Sequence, residues 1–142
     1  MKKKLYTRKT IVIMTAIIFT VVLICAFITI KPVTVYYGTS EIYAEQDLTA
    51  AVEMIQDKVN SMRGCKLYSL SYKGDEYCVQ ELDDCNSLKK DGEPFTECVV
   101  FDSCFRSPVF GGDGLNANYI YDWDWYLART ENGQWEIITF GY

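Results

Sequence analysis

Residues 119–142, YIYDWDWYLARTENGQWEIITFGY, decide how the sheet of this chain is built. Side chains alternate between apolar and polar along residues 119–129 and again along residues 135–142, as they do in strands with one face in a core. The intervening TENGQ contains Asn132 and Gly133, and Asn-Gly between two alternating runs is a strong signal for a hairpin turn. We therefore expect the chain to close with two antiparallel strands.

Two further strands are predicted upstream of this hairpin. In residues 65–77, CKLYSLSYKGDEY, large and small side chains alternate, and KGDE turns the chain. In residues 95–105, FTECVVFDSCF, the alternation divides the side chains between two faces. One face carries Phe95, Val99, Phe101 and Phe105, and the other carries Cys98, Val100, Asp102 and Cys104.

An amphipathic helix precedes these strands, in residues 40–64, SEIYAEQDLTAAVEMIQDKVNSMRG. Its apolar residues recur at the spacing of one helix face: Leu48, Ala51, Val52, Ile55, Val59 and Met62. Glu45 and Asp47 suit the first turn, and Gly64 suits the residue after the last turn, which takes positive φ. The polar residues 79–92 predict a short helix or a turn.

These elements predict an α+β fold. Strands that follow one another through short connections form an antiparallel meander, and a single long helix must bury its apolar face against one side of that sheet. We expect a four-stranded antiparallel sheet with the helix packed on it, a roll of the cystatin-like or nuclear-transport-factor-like (NTF2-like) kind.

Five short motifs lie in residues 40–142: SEIY at 40–43, GDE at 74–76, GGDG at 111–114, WDW at 123–125 and GY at 141–142. Together they resemble a family of small, uncharacterised extracytoplasmic domains of Gram-positive bacteria, which are membrane-anchored or of the lipoprotein type. Cys78, Cys85, Cys98 and Cys104 look like additions to the family pattern. The resemblance implies a fold and a location, and it implies no activity.

The N-terminal residues predict a membrane protein. Residues 1–10 carry five basic side chains and no acid, and residues 11–30 contain no charge, proline or glycine. A helix of about 20 apolar residues covers the hydrocarbon thickness of a bilayer. We expect a single-pass transmembrane signal anchor at 11–30 in the cell membrane, a cytoplasmic basic segment at 1–10, a linker at 31–40 and an extracytoplasmic domain at 41–142. A cleaved signal or a lipidated Cys25 is less favoured, because no small residue precedes that cysteine.

Charge and composition exclude several functions. Residues 31–142 hold nine basic and nineteen acidic side chains, a net charge of −10, which disfavours nucleic-acid binding. The chain contains no histidine, so it lacks Ser-His-Asp and Cys-His nucleophile pairs and imidazole zinc ligands. We therefore predict no enzymatic activity, no catalytic residues, no metal site and no cofactor.

The candidate ligand-binding residues lie on one strand: Tyr121, Trp123, Asp124 and Trp125. Aromatic rings beside an acid can bind sugars or cations, although cross-strand packing of the rings is the stronger interpretation. Asp122 and Asp124 point to one face about 7 Å apart, as a glycosidase pair could, but a solvated sheet face is favoured. The GGDG loop at residues 111–114 lacks the residues of a P-loop or of an EF-hand.

Five of the six cysteines lie in the predicted outer domain, and this odd number leaves at least one without a partner in the same domain. Cys98 and Cys104 are about 20 Å apart along a strand and cannot bond to each other. The chain reversal between residues 85 and 98 favours a Cys85–Cys98 disulfide. Cys78–Cys104 would then be the second disulfide and Cys65 a free thiol, while a fully reduced domain is an equal alternative.

Two functions remain after these exclusions. The first is a non-catalytic module that binds a protein partner in the cell envelope, and self-association into a homo-oligomer is compatible with it. The second is a small-ligand binding or sensing domain with a pocket between helix and sheet. An exposed apolar patch would favour the first and a deep cavity the second.

Overall fold

The computed structural model describes residues 6–29, 32–131 and 133–141, with side chains described at residues 10–22, 32–131 and 133–141. Two compact units make up the chain, Met1–Pro32 and Val33–Tyr142. The first unit contains helix α1 (Tyr6–Thr29). The second contains, in chain order, β1 (Thr34–Tyr36), α2 (Glu45–Ser61), β2 (Lys66–Tyr72), α3 (Asp75–Leu88), β3 (Glu97–Arg106), β4 (Ile120–Arg129) and β5 (Glu136–Gly141).

The transmembrane helix predicted at residues 11–30 is wrong for the described chain. A crossing takes about 20 consecutive apolar residues, and no helix among the described residues combines the necessary length and apolarity. Residues 1–5 of the predicted basic segment at 1–10 lie outside the described residues, as does the side chain of Cys25.

The second unit is a small α+β domain with five strands in the order β1-β2-β3-β4-β5. The prediction of four antiparallel strands was wrong, because residues 34–36 are a strand and not part of a linker. β1 pairs in parallel with β2, with Val35 opposite Leu70. A parallel pair needs a long crossover, and α2 supplies it. A strand of three residues is too short to show a period in the sequence.

The other strand pairs are antiparallel, as expected. β2 pairs with β3, β3 with β4, and β4 with β5. The hairpin predicted at the end of the chain is therefore confirmed, although Asn132 of its turn lies outside the described residues. The two faces predicted for β3 are also confirmed. Phe101 lies opposite Trp125 and both are buried, whereas the next residue, Asp102, lies opposite Asp124 on the other face of the sheet.

Helices α2 and α3 cover opposite faces of the sheet. Lys58 of α2 lies over the ring of Phe140, which is the cross-strand neighbour of Trp125. On the other face, Tyr77 of α3 contacts Tyr126 through their hydroxyl groups at 3.3 Å. The prediction of a roll covered by a single helix was thus wrong. Only Cys78 and Cys85 of α3 are fully buried, so its sequence shows little apolar periodicity.

A buried hydroxyl group connects the two central strands inside the core. The indole nitrogen of Trp125 donates a hydrogen bond of 2.7 Å to Oγ of Ser103, and that hydroxyl donates to the carbonyl oxygen of Trp123 at 3.0 Å. Ser103 and Trp125 are both fully buried. Since water cannot reach the indole, its N–H depends on this serine.

Replacing Ser103 with alanine should lower the free energy of unfolding by about 1–3 kcal/mol, because the buried indole N–H of Trp125 loses its acceptor. Chemical denaturation followed by tryptophan fluorescence measures the change. Ser71→Ala, on the half-exposed face of β2, is the matched control and should stay within about 0.5 kcal/mol of the parent protein. Equal losses in both variants would contradict this role of Ser103.

Asp75, the first residue of α3, fastens the segment that leads into α2. Its carboxylate accepts hydrogen bonds from Oγ of Ser40 at 2.6 Å, from the backbone nitrogen of Glu41 at 2.7 Å and from the hydroxyl of Tyr72 at 2.8 Å. Ser40 in turn accepts from the backbone nitrogen of Tyr43 at 2.8 Å. The hydrogen bond from Ser40 is the main reason that the pKa of Asp75 lies below its ordinary value, and the other donors add to it.

Asp75 should stabilise the fold at neutral pH and lose this effect in acid. Because its pKa is lowered by folding, the contribution is present above the unfolded pKa of about 4 and disappears as the pH falls through the folded value. Asp75→Asn should cost about 1 kcal/mol near pH 7, a small loss since solvent reaches the carboxylate. The difference from the parent should shrink below about pH 4.

Denaturation curves recorded across this pH range test the Asp75 contribution. Asp83→Asn, on the exposed surface of the same helix, removes one acidic charge without breaking the contacts to Ser40 and Glu41. It should leave the pH dependence of the parent unchanged. A constant difference between Asp75→Asn and the parent from neutral to acid pH would disprove the linkage.

Candidate interaction site

The predicted ligand-binding residues of β4 do not converge on one site. Tyr121 and Trp125 are buried on the face that α2 covers, and Trp123 is half-buried beside them. Asp124 points to the opposite face, where its carboxylate lies 3.3 Å from Nζ of Lys73. Alternation along a strand separates neighbours in this way, so the acid cannot act together with the aromatic rings.

The aromatic side chains of β4, with Tyr119 directly before it, form a continuous ladder of ring contacts. Ring centroids lie 5.0 Å apart for Tyr119 and Tyr121, 5.5 Å for Tyr121 and Trp123, and 6.4 Å for Trp123 and Trp125. Phe140 of β5 stacks on Trp125 at 4.6 Å. Such pairs add to the stabilisation that burial alone gives. The ladder therefore packs the core and reaches the end of the sheet at Tyr119.

The predicted carboxylate pair lies on the half-exposed face of the sheet. Asp124 stands opposite Asp102, and Asp122 stands opposite Cys104. Burial raises the pKa of Asp102, and the neighbouring charge of Asp124 raises it further. Burial also raises the pKa of Cys104, and its hydrogen bond with Asp122 adds to the shift. Within the described part of the chain, no group of three or more Cys, Asp or Glu side chains is arranged to hold a metal ion.

The space between α2 and the sheet is filled by side chains. Ile55, Phe101, Trp125 and Leu127 have no exposed surface there. Two depressions, of about 590 and 510 Å³, lie instead along α2, and both are lined by its exposed residues Ala50 and Glu53. The pocket expected between helix and sheet is thus occupied by the core itself.

The loop between β3 and β4, residues 107–119, is held by hydrogen bonds from both of its ends. The buried Ser107 pairs with Tyr119 through backbone atoms at 2.9 Å, and Ser107 Oγ donates to the carbonyl oxygen of Asn116 at 2.5 Å. The backbone nitrogen of Asn116 donates to the hydroxyl of Tyr121 at 2.8 Å. The loop therefore has a defined conformation that the core fixes.

The GGDG segment of this loop makes the tight turn that the sequence predicts. Gly111 has φ of 71°, and a Cβ atom at this position would lie 2.9 Å from the carbonyl oxygen of Leu115. A side chain here would meet both backbone strain and a close contact. The glycine thus lets the chain fold back directly after Phe110.

Four apolar side chains of this region are exposed, and we call them the loop cluster: Val109, Phe110, Tyr119 and Ile120. Phe110 is 95% exposed and Val109 is 63% exposed. Tyr119 and Ile120 are about half exposed, at 52% and 45%. Single exposed apolar residues are common on protein surfaces, but Val109 and Phe110 are adjacent on one loop, and Tyr119 and Ile120 flank them on the two faces of the sheet. Four such residues at the end of one hairpin mark a place where another surface can pack.

Basic residues border the loop cluster. Lys66, Arg106 and Ile120 form one row across β2, β3 and β4. Arg63 precedes Gly64, which lies close to the loop: a Cβ atom built on Gly64 would be 3.2 Å from the side chain of Pro108. Three of the eight basic residues in the acidic second unit thus lie at this end of the sheet. Asp113 of the same loop is close enough to Cys65 to raise the pKa of that thiol, although burial is the larger cause.

The sequence does not single out the loop cluster. Val109 and Phe110 stand in a run, SPVFGGDG, that has turn residues but no period. Tyr119 and Ile120 read as the start of the alternating strand. The signal that could have identified the loop cluster is the pair Val109 and Phe110, two large apolar residues directly before two glycines inside a predicted loop.

No known protein family matches this chain, and no curated protein or solved structure is significantly similar to it. The resemblance to small extracytoplasmic domains stays a prediction.

Tyr121→Phe should loosen the loop without unfolding the domain, because it removes the acceptor for the backbone N–H of Asn116 and keeps the buried ring. Hydrogen exchange should be faster at Asn116, while the free energy of unfolding falls by about 1 kcal/mol. Tyr36→Phe removes a hydroxyl from a ring that is 59% exposed and serves as the control. Unchanged exchange at Asn116 would show that the loop does not depend on Tyr121.

Proposed function

We propose that the second unit is a non-catalytic module that binds a protein partner through the loop cluster. Phe110 carries the proposal, because a phenyl ring that is 95% exposed on a hydrogen-bonded loop gains the favourable free energy of apolar burial only when another surface covers it. Aromatic side chains that insert into a partner's pocket are the residues that contribute most to protein–protein binding.

The proposed partner presents an apolar pocket with an acidic rim. The pocket would take Phe110 and Val109, and the rim would face Arg63, Lys66 and Arg106. Most of the second unit is acidic, so this end differs in charge from the rest of the domain. Complementary charges of this kind speed up association and select the correct orientation.

The conformation of the loop supports binding at low entropic cost. Ser107 and Tyr121 hold the backbone on both sides of Phe110 through hydrogen bonds, so the loop does not have to become ordered on binding. Preorganisation increases affinity because less conformational freedom is lost. A small-ligand function has less support, since the space between α2 and the sheet is filled.

A photo-crosslinking amino acid placed at position 110 of the full-length chain tests the proposal in cells that make the protein. We expect one dominant protein adduct from position 110. The same amino acid at position 79 should not give it, although Val79 on α3 is also 57% exposed. The partner is then purified and its dissociation constant measured.

Phe110→Ala should weaken binding to the purified partner at least tenfold, as expected for a central aromatic residue. Its thermal stability should be unchanged, because the ring makes few contacts in the free protein. Val79→Ala should bind normally, and Arg106→Glu should bind more weakly, mostly at low salt. The proposal would be overturned if the crosslinked partner bound Phe110→Ala with full affinity. It would also be overturned if the main activity of the loop cluster were self-association or binding to anionic lipid vesicles.

A further inference from the structure

Two buried thiol groups touch where α3 packs on the sheet. Cys85 of α3 and Cys98 of β3 lie with their Sγ atoms 3.4 Å apart, and both residues are about 1% exposed. Both cysteines are reduced in the structure. The contact joins two elements that are held together otherwise by side-chain packing and by hydrogen bonds such as the one from the backbone nitrogen of Val100 to Sγ of Cys78.

We propose that Cys85 and Cys98 form a disulfide that fastens α3 to β3 when the protein folds in the presence of a disulfide oxidant. This inference does not depend on the function proposed for the loop cluster, which lies on a different segment. The two sulfur atoms are bonded at about 2.05 Å in a disulfide, so they need to approach by somewhat more than 1 Å. Residues 89–96, which connect α3 to β3, contain no helix or strand that would resist such a shift.

The other cysteines of the second unit have different neighbours. Sγ of Cys78 accepts a hydrogen bond of 3.2 Å from the backbone nitrogen of Val100. Cys104 lies opposite Asp122 in the sheet, and Cys65 lies close to Asp113. Among the described contacts, Cys85 and Cys98 are the pair whose sulfur atoms meet, so one specific disulfide is expected from five thiols.

The hydrogen bond between the two thiols acts on them in opposite directions in the folded domain. It lowers the pKa of Cys85, and together with burial it raises the pKa of Cys98. This difference depends on the docked contact, so either thiol can supply the reactive thiolate when the two are apart.

The oxidation is a thiol–disulfide exchange with a small-molecule disulfide such as oxidised glutathione. One of the two thiolates attacks one sulfur of the oxidant, forms a mixed disulfide and releases one thiol. The other thiolate then attacks the protein sulfur of that mixed disulfide and releases the second thiol. Two S–H bonds of the protein are replaced by one S–S bond, and the oxidant takes up the two electrons and both protons.

Burial determines when this exchange can occur. An oxidant cannot reach sulfur atoms that α3 covers, so exchange needs α3 to be undocked, either before folding is complete or during local opening. Once formed, the bond restricts the unfolded chain by closing the segment between residues 85 and 98. The disulfide would thus act as a staple that forms during folding.

Refolding the full-length chain in oxidised and reduced glutathione at about pH 8, near the ordinary pKa of a thiol, tests the proposal. The sample is quenched with acid, unfolded and alkylated, and its mass is measured. We expect four of the six cysteines to be alkylated, and a peptide map should join Cys85 to Cys98. The oxidised protein should melt on the order of 10 °C above the reduced protein.

Two variants control the experiment. Cys98→Ala should give five alkylated cysteines and no difference in melting temperature between the two redox conditions. A chain with both Cys65→Ser and Cys104→Ser should keep the Cys85–Cys98 link. Alkylation of all six cysteines in the oxidised parent protein would overturn the proposal, as would a peptide map that joins Cys98 to another cysteine, or a parent protein whose melting temperature does not rise on oxidation.

Discussion

The rest of the second unit depends on the burial of β3 on both of its faces. Four consecutive residues in the first half of this strand, from Cys98 to Phe101, are at most 1% exposed. A strand with one solvated face could not bury neighbours in this way, since successive side chains point to opposite sides. Two covering layers are therefore required, and α2 and α3 provide them. The central position of β3 in the five-stranded sheet follows from the same requirement.

Burial of β3 also requires that its backbone polar groups find partners beyond the end of β2. β2 stops at Tyr72, opposite Phe101, so the earlier residues of β3 lack a strand on that side. The hydroxyl of Tyr43 donates to the carbonyl oxygen of Cys98 at 2.8 Å, and Sγ of Cys78 accepts from the nitrogen of Val100. Unpaired groups here would be costly in a dry interior. The segments that begin α2 and α3 thus complete the edge of β3 as well as cover its faces.

The sequence predicted the features that repeat with a regular period. The apolar face of α2, the alternation of β3 and β4 and the terminal hairpin all depend on local patterns, and all are present. β1 and the full length of α3 were missed because their signals are not periodic: β1 has three residues, and α3 buries only Cys78 and Cys85 completely. The four consecutive apolar residues of β3 were a sign of burial on both faces. Interpreted as burial on both faces, these four residues would have predicted a second covering helix and excluded a roll with one open face.

The division between core and candidate site follows from what an alternating pattern can and cannot specify. Alternation places Trp123 and Trp125 on one face, but whether that face is covered depends on α2, which is far away in the sequence. Phe110 is exposed for a local reason, because the chain reverses at Gly111 before the ring can fold back onto the sheet. The aromatic ladder joins these two regions: Tyr121 packs against Trp123 inside and holds the loop through Asn116 outside. A core that is rigid at this end of β4 therefore keeps the exposed ring of Phe110 in one position, which is what a binding surface needs.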